Sequence, residues 1–321
     1  MNSMNFFISE TILAFTLTVI GVMILKKKNY LSEKDVAPFT NLLIQFVIPA
    51  NIILMLMNKN VSKVQLEMGA ILFISSFLAL ILAYVVGRIF KLKRSYIGAL
   101  IMTSAFSASG LLGYPLIKIL FPGNAMAIAD AIMMTEIGVG LPTLIFCPIV
   151  ARYFGEQAGF HTNKHIIMSA LKDYFCSPIF ISIIVGIVLA FSGIGSNQDF
   201  VADMLRSGLN ISASGLTILP AVIIGLRLKK IAIGHILPLI VASAAIQMFF
   251  EPYMTTYLAN LISLPATEKT VLLLLSMMPS ALLAPVFASR YDCAPDETSA
   301  IVFVNIILSV ALVPLMYGLL F

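Results

Sequence analysis

The chain has 321 residues, of which 60% are hydrophobic and 11% charged, and its mean hydropathy is +1.02. A soluble domain carries about 25% charged residues, so this composition excludes a soluble globular protein and indicates an integral membrane protein. The net charge of +5, from 20 Lys and Arg against 15 Asp and Glu, reads as basic loops beside a membrane and not as a nucleic-acid surface.

Apolar runs of about 20 residues mark helices that cross ~30 Å of hydrocarbon. Ten are predicted, at 6–25, 37–57, 69–90, 96–121, 123–152, 177–194, 203–226, 232–258, 267–290 and 296–320, so the expected class is an all-α integral membrane protein with ten transmembrane helices. The first reads as a retained helix, because no basic residue precedes it and no small-residue cleavage site follows. The eighth either starts later or bends at Pro238.

Basic residues gather in alternate loops. One set holds Lys26, Lys27, Lys28 and Lys34; Arg88, Lys91, Lys93 and Arg94; Arg152, Lys164 and Lys172; Arg227, Lys229 and Lys230; and Arg290. The other holds Lys59, Lys63 and Lys269, with Lys118 and Arg206 near helix ends. The basic side is expected to be cytoplasmic, which puts both termini outside the cell membrane. The cysteines Cys147, Cys176 and Cys293 show no CxxC spacing and fall on that side, so they read as reduced and structural. His161 and His165 share a helix face, but no further ligands converge on them, and no metal is expected.

The longest loop, Phe154 to Cys176, is expected to be cytoplasmic, with Ile166, Ile167, Leu171 and Phe175 forming an apolar face against the membrane. It separates residues 1–153 from 177–321, each with five predicted helices. An odd number per half makes a second copy run upside down relative to the first, the inverted-repeat plan of many transporters. Two short internal matches share one offset of 171 residues: Ile48 to Ile53 with Leu219 to Ile224, and Leu111 to Leu116 with Leu282 to Phe287. Pro49 and Pro220 are expected to kink the second and seventh helices.

The fourth helix carries Ser107, Ser109, Gly110, Gly113 and Pro115 in its middle. Proline removes a backbone donor and glycine leaves helical angles cheaply. A broken helix persists at membrane depth only where it is buried in protein or lines a wet cavity. The ninth helix, with Pro279, Ser280 and Pro285, is the corresponding broken element. Freed backbone groups and the positive ends of half-helices suit an anion there. A pair of packing kinks with small residues is the alternative. Asn305 and Ser309 share a face of the tenth helix, from which Asn305 could line the site.

Glu136, beside Thr135 and Gly138 in the fifth helix, is a candidate coupling residue. A carboxylate at the bilayer centre must face protein or water, and it either carries a proton or bonds to a neighbouring broken helix. Asp130 reads as a solvated end residue, Lys118 as a snorkelling one, and Arg206 with Asp203 as a local pair. Glu251, before Pro252, reads as the residue that caps or ends the outer part of the eighth helix.

At these residues the chain resembles the auxin efflux carrier family, which includes plant auxin exporters and bacterial malonate and malate permeases. Ala108-Ser109-Gly110-Leu111-Leu112-Gly113-Tyr114-Pro115 is similar to the family's Asn-Thr-Gly-x-x-Gly-x-Pro pattern. Further resemblance lies in Ser177-Pro178 and the apolar run after it, Leu219-Pro220-Ala221 through Gly225, Met278-Pro279, Phe287 to Tyr291, and Asp296 to Ser309. The resemblance implies a fold in which the fourth and ninth helices cross at their breaks, and carriage of an organic anion by alternating access. The family's substrate-contacting asparagine falls on Ala108 here, so the substrate itself does not carry over.

The expected function is secondary transport of a small organic anion, such as malate or malonate, driven by a proton gradient, a sodium gradient or the membrane potential. No cofactor or enzymatic activity is expected, no Walker A sequence is present, and a homodimer is the candidate assembly. The rivals are a cation/proton antiporter on a related broken-helix fold and a non-transporting membrane sensor.

Overall fold

The computed structural model describes residues 17–57, 62–109, 134–155, 176–192, 200–228, 233–262 and 264–320, with the single positions 113, 117, 121, 127, 130 and 131. Among these the secondary structure is helical, apart from one isolated antiparallel bridge. Helix α1 covers residues 17–27. Helix α2 runs as Val36–Leu42, a π-turn at Leu43–Val47, and Ile48–Leu56. Lys63–Ile89 forms α3 and Arg94–Ser104 forms α4, while a π-turn at Glu136–Gly140 leads into α5, Leu141–Phe154. Pro178–Phe191 is α6, and α7 is Phe200–Ala213 continued by Gly215–Arg227. Helix α8 runs as Ile233–Ala245, a π-turn at Ile246–Phe250, and Glu251–Leu261. Ala266–Ser276 is α9, Ala284–Tyr291 is α10, and Pro295–Leu320 is α11. Six of the described helical stretches are long and apolar enough to span a membrane.

The helices show which way a membrane protein faces. On α3 the buried residues include Gly69, Ser75, Ser76, Ala79, Ala83 and Gly87, while Ile74, Phe77, Ile81, Tyr84 and Val85 are exposed. From Ser75 to Gly87 small residues therefore point inward and large apolar ones outward, the reverse of a soluble helix, while Met68, Ile71 and Leu72 are buried nearer the start of α3. Small inner faces let helices approach closely where lipid removes any hydrophobic drive between them. At Gly138 a Cβ would sit 2.6 Å from the Gly69 carbonyl oxygen and 2.6 Å from Leu72 Cβ, so the start of α5 touches the backbone of α3. Helix α6 packs along α2, and α3 packs against α4, α8 and the π-turn before α5.

The three π-turns at Leu43–Val47, Glu136–Gly140 and Ile246–Phe250 have one cause. Each ends just before a proline at the second position of the next helical stretch: Pro49, Pro142 and Pro252. A proline clashes with the carbonyl four residues earlier and lacks the N–H that would bond it. Those carbonyls belong to Gln45, Gly138 and Met248, the middle residue of each turn. Widening the turn removes the clash while the helix continues. Pro148, Pro220 and Pro238 lie inside α-helix with no such turn described. The π-turn of the eighth helix therefore lies ahead of Pro252, and that of the second ahead of Pro49.

The loops predicted to share the cytoplasmic side meet at one end. Lys26 donates to the Leu226 carbonyl at 2.6 Å and pairs with Glu33 at 3.2 Å. Arg227 pairs with Asp296 at 3.5 Å, Arg94 bonds the Tyr153 carbonyl, and Tyr96 donates to Glu297. Most of the 154–176 loop, including His161, His165 and its apolar face, lies outside the described residues, as does Lys118. Arg206 and Asp203 form the expected exposed local pair at 2.7 Å.

Candidate functional site

Helix α4 stops at Ser104 and α9 at Ser276, each in mid-segment. The extended stretches that follow run past each other. The Ala108 N–H donates to the Pro279 carbonyl at 2.6 Å and the Ala281 N–H to the Phe106 carbonyl at 2.7 Å, around a bridge between Ser107 and Ser280. Each broken segment thus satisfies the other's backbone, which a broken helix requires inside a membrane. The crossing is closed: Ser107 is 7% exposed, and Ser109 and Ser280 are fully buried.

A side-chain network surrounds the crossing. Because α4 ends, the Thr103 carbonyl lacks the helical donor four residues on, and two hydroxyls replace it. Ser280 donates to it at 2.5 Å and Ser243, from α8, at 2.9 Å. The Asn305 side-chain amide on α11 donates to both hydroxyls, to Ser280 at 2.8 Å and Ser243 at 2.9 Å. The Ser107 and Ser109 hydroxyls bond each other at 3.0 Å. Ser104 Oγ and Asn305 Oδ1 are buried without a partner. Buried orphans of this kind call for an explanation, and a polar ligand is one.

Of the residues singled out from sequence, the structure joins Ser107, Ser109, Pro279, Ser280 and Asn305. Pro285 sits in the first turn of α10, whose N-terminus adjoins the crossing. Gly113 is buried, and a Cβ there would overlap the Leu275 side chain near the end of α9. Gly110 and Pro115 lie outside the described residues, and Glu136 is described only through its backbone, at the head of the π-turn before α5. Thr103 and Ser243 were not singled out from sequence.

Two sequence expectations are corrected. Asp130 is not a solvated end residue: it is 6% exposed and accepts from the Gln65 amide at 2.8 Å. Glu251 does not end the eighth helix, which continues to Leu261. It is fully buried and accepts from Ser76 of α3 at 2.8 Å and from Gln247 at 2.5 Å.

Apolar spanning helices, with two unwound segments that cross in the buried interior, define an integral membrane protein. The chain belongs to the membrane transport protein family, the auxin efflux carriers, whose model matches residues 6–317. It is 28% identical over 290 residues to an uncharacterized transporter of Methanocaldococcus jannaschii, covering 89% of this chain and 90% of that one. It is 23% identical over 315 residues to an uncharacterized transporter of Methanothermobacter thermautotrophicus, covering 96% of each.

Proposed function

We propose that this membrane transporter is a secondary carrier of a small organic anion, a carboxylate such as malate or malonate, working by alternating access at the crossing. The single observation that carries the reading is the crossing itself, a pair of unwound segments held together by backbone bonds around Ser107 and Ser280. In transporters such breaks form substrate sites, with half-helix N-termini directed at anionic groups. The substrate-binding set is Ser107, Ser109, Gly110, Gly113, Pro115, Pro279, Ser280, Pro285 and Asn305. The unpaired Asn305 Oδ1 is suited to accept from a hydroxyl or an acid proton of the substrate.

The architecture proposed is a 5+5 inverted repeat, residues 1–153 and 177–321 joined by a cytoplasmic 154–176 loop, in the cell membrane with both termini outside. The common offset supports it: Ser109 and Ser280, both at the crossing, are also 171 residues apart. Coupling is proposed to a proton or sodium gradient, with Glu136 as a coupling carboxylate, and the assembly as a homodimer.

The test is uptake of radiolabelled malate and malonate into proteoliposomes holding the purified full chain, under imposed pH, sodium and potential gradients. Saturable uptake that collapses with one gradient is expected. Failure of every carboxylate in a panel, with folded and inserted protein, would overturn the reading.

A further inference from the structure

Helix α8 carries a polar stripe that the crossing does not use up. Ser243, Gln247, Glu251 and Thr255 recur every four residues, and all four are fully buried. Ser243 bonds the crossing through Thr103 and Asn305. Glu251 lies eight residues further on, about 12 Å along a helix of 1.5 Å rise. It also lies ten residues before Leu261, about 15 Å from that helix end by the same rise. Its carboxylate is therefore deep in the hydrocarbon region, where an uncompensated charge is strongly disfavoured.

The groups around Glu251 supply hydrogen bonds and no positive charge. Both carboxylate oxygens are engaged, by the Ser76 hydroxyl and the Gln247 amide. Gln247 Oε1, on that same amide, and Thr255 Oγ1, one turn beyond Glu251, are buried without a partner. The ionisable residues on the elements packed against α8 lie elsewhere. On α3, Lys63 and Glu67 pair with each other, and Arg88 stands twelve residues beyond Ser76, about 18 Å away by helical rise. On α9, Lys269 bonds Asn260 near the far end of α8, and Glu268 is its neighbour. On α4, Arg94 bonds Tyr153, and on α11 Asp296 and Glu297 engage Arg227 and Tyr96. Asp130 is held by Gln65. Among the described residues no cation contacts Glu251.

A buried carboxylate with two spare oxygens beside it and no cationic partner fits a small cation. We propose that Glu251, with Gln247, Ser76 and Thr255, binds a monovalent cation, a proton or a sodium ion, and that the stripe links its occupancy to the crossing through Ser243. Neutralising Glu251 frees the Gln247 amide and Ser76 hydroxyl to change partners, and α8 carries that change to the Ser243–Asn305–Ser280 bonds. Linkage then makes cation and anion favour each other's binding. The coupling role rests on the transport reading; the cation site does not.

Carbodiimide labelling of the full chain in native membranes tests the site directly. Dicyclohexylcarbodiimide enters lipid and adds to a carboxyl group that holds a proton, leaving an adduct that peptide mass spectrometry assigns. A Glu251 adduct is expected. If the occupant is a proton, its yield falls as the pH is raised and sodium has no effect at fixed pH. If the occupant is sodium, sodium protects at fixed pH and choline does not. An adduct absent at every pH, or one indifferent to both pH and sodium, overturns the site. In proteoliposomes Glu251→Gln is expected to lose cation-driven accumulation, and unchanged accumulation overturns the coupling role. If the wild type carries no carboxylate, the transport reading fails while the labelling result still decides the cation site.

Discussion

Replacing Asn305 separates a structural hydrogen-bond hub from a substrate residue. Its amide gives one N–H to Ser280 and one to Ser243, and each hydroxyl commits its single proton to the Thr103 carbonyl. Asn305→Leu keeps the branching of the side chain, adds methyl bulk and removes the two bonds that the amide donates, but every hydroxyl proton keeps its acceptor. Hydrogen bonds inside membrane proteins average about 0.6 kcal/mol, so the loss is about 1.2 kcal/mol. Against a stability of roughly 5–15 kcal/mol that leaves a folded protein. Asn305→Asp has the same shape and a larger destabilising effect. Two donors become acceptors facing hydroxyls whose protons are already committed, and a charge buried at this depth costs about 2.5–3.5 kcal/mol.

The expected order of thermal stability is therefore wild type, Asn305→Leu, Asn305→Asp. The chain has no tryptophan, but its buried thiols, Cys147 and Cys293, which form no disulfide, report unfolding through a maleimide dye in a Cys176→Ser background. Uptake per folded molecule decides the role. If Asn305 touches substrate, Asn305→Leu loses at least about tenfold in uptake, equivalent to about 1.4 kcal/mol at the crossing. Uptake within about twofold of wild type, or less than about 0.4 kcal/mol, would refute the assignment and leave Asn305 a packing residue.

Three further outcomes are expected. Gly138→Ala forces a Cβ to 2.6 Å from the Gly69 carbonyl oxygen and should destabilise the protein by about 1–3 kcal/mol, read as a lower Tm. Gly21→Ala meets nothing within 4 Å and serves as the control that leaves Tm in place. A cysteine introduced at position 160 should react with impermeant maleimide only after the membrane is opened, and labelling in intact cells would reverse the proposed orientation. Glu136→Gln should preserve exchange and abolish uphill, pH-driven uptake; accumulation with the usual pH dependence would return Glu136 to a structural role.

The sequence by itself determined the membrane class, the position of the six described spans, and where two of the predicted helices break. Those features depend on local composition: length of apolar run, placement of Lys and Arg, and proline or glycine among serines. It also held a signal that only the structure makes plain, the four-residue spacing of Ser243, Gln247, Glu251 and Thr255 in an apolar segment. Which group each polar side chain meets was decided by tertiary structure. Ser76 reaches Glu251 across 175 positions, Asn305 reaches Ser243 across 62, and Gln65 reaches Asp130 across 65. Periodicity shows that a polar residue is on the inner face of a helix and not which helix is opposite. That choice follows from backbones brought close by small residues such as Gly69 and Gly138, and from hydrogen bonds that hydrocarbon leaves to the protein alone.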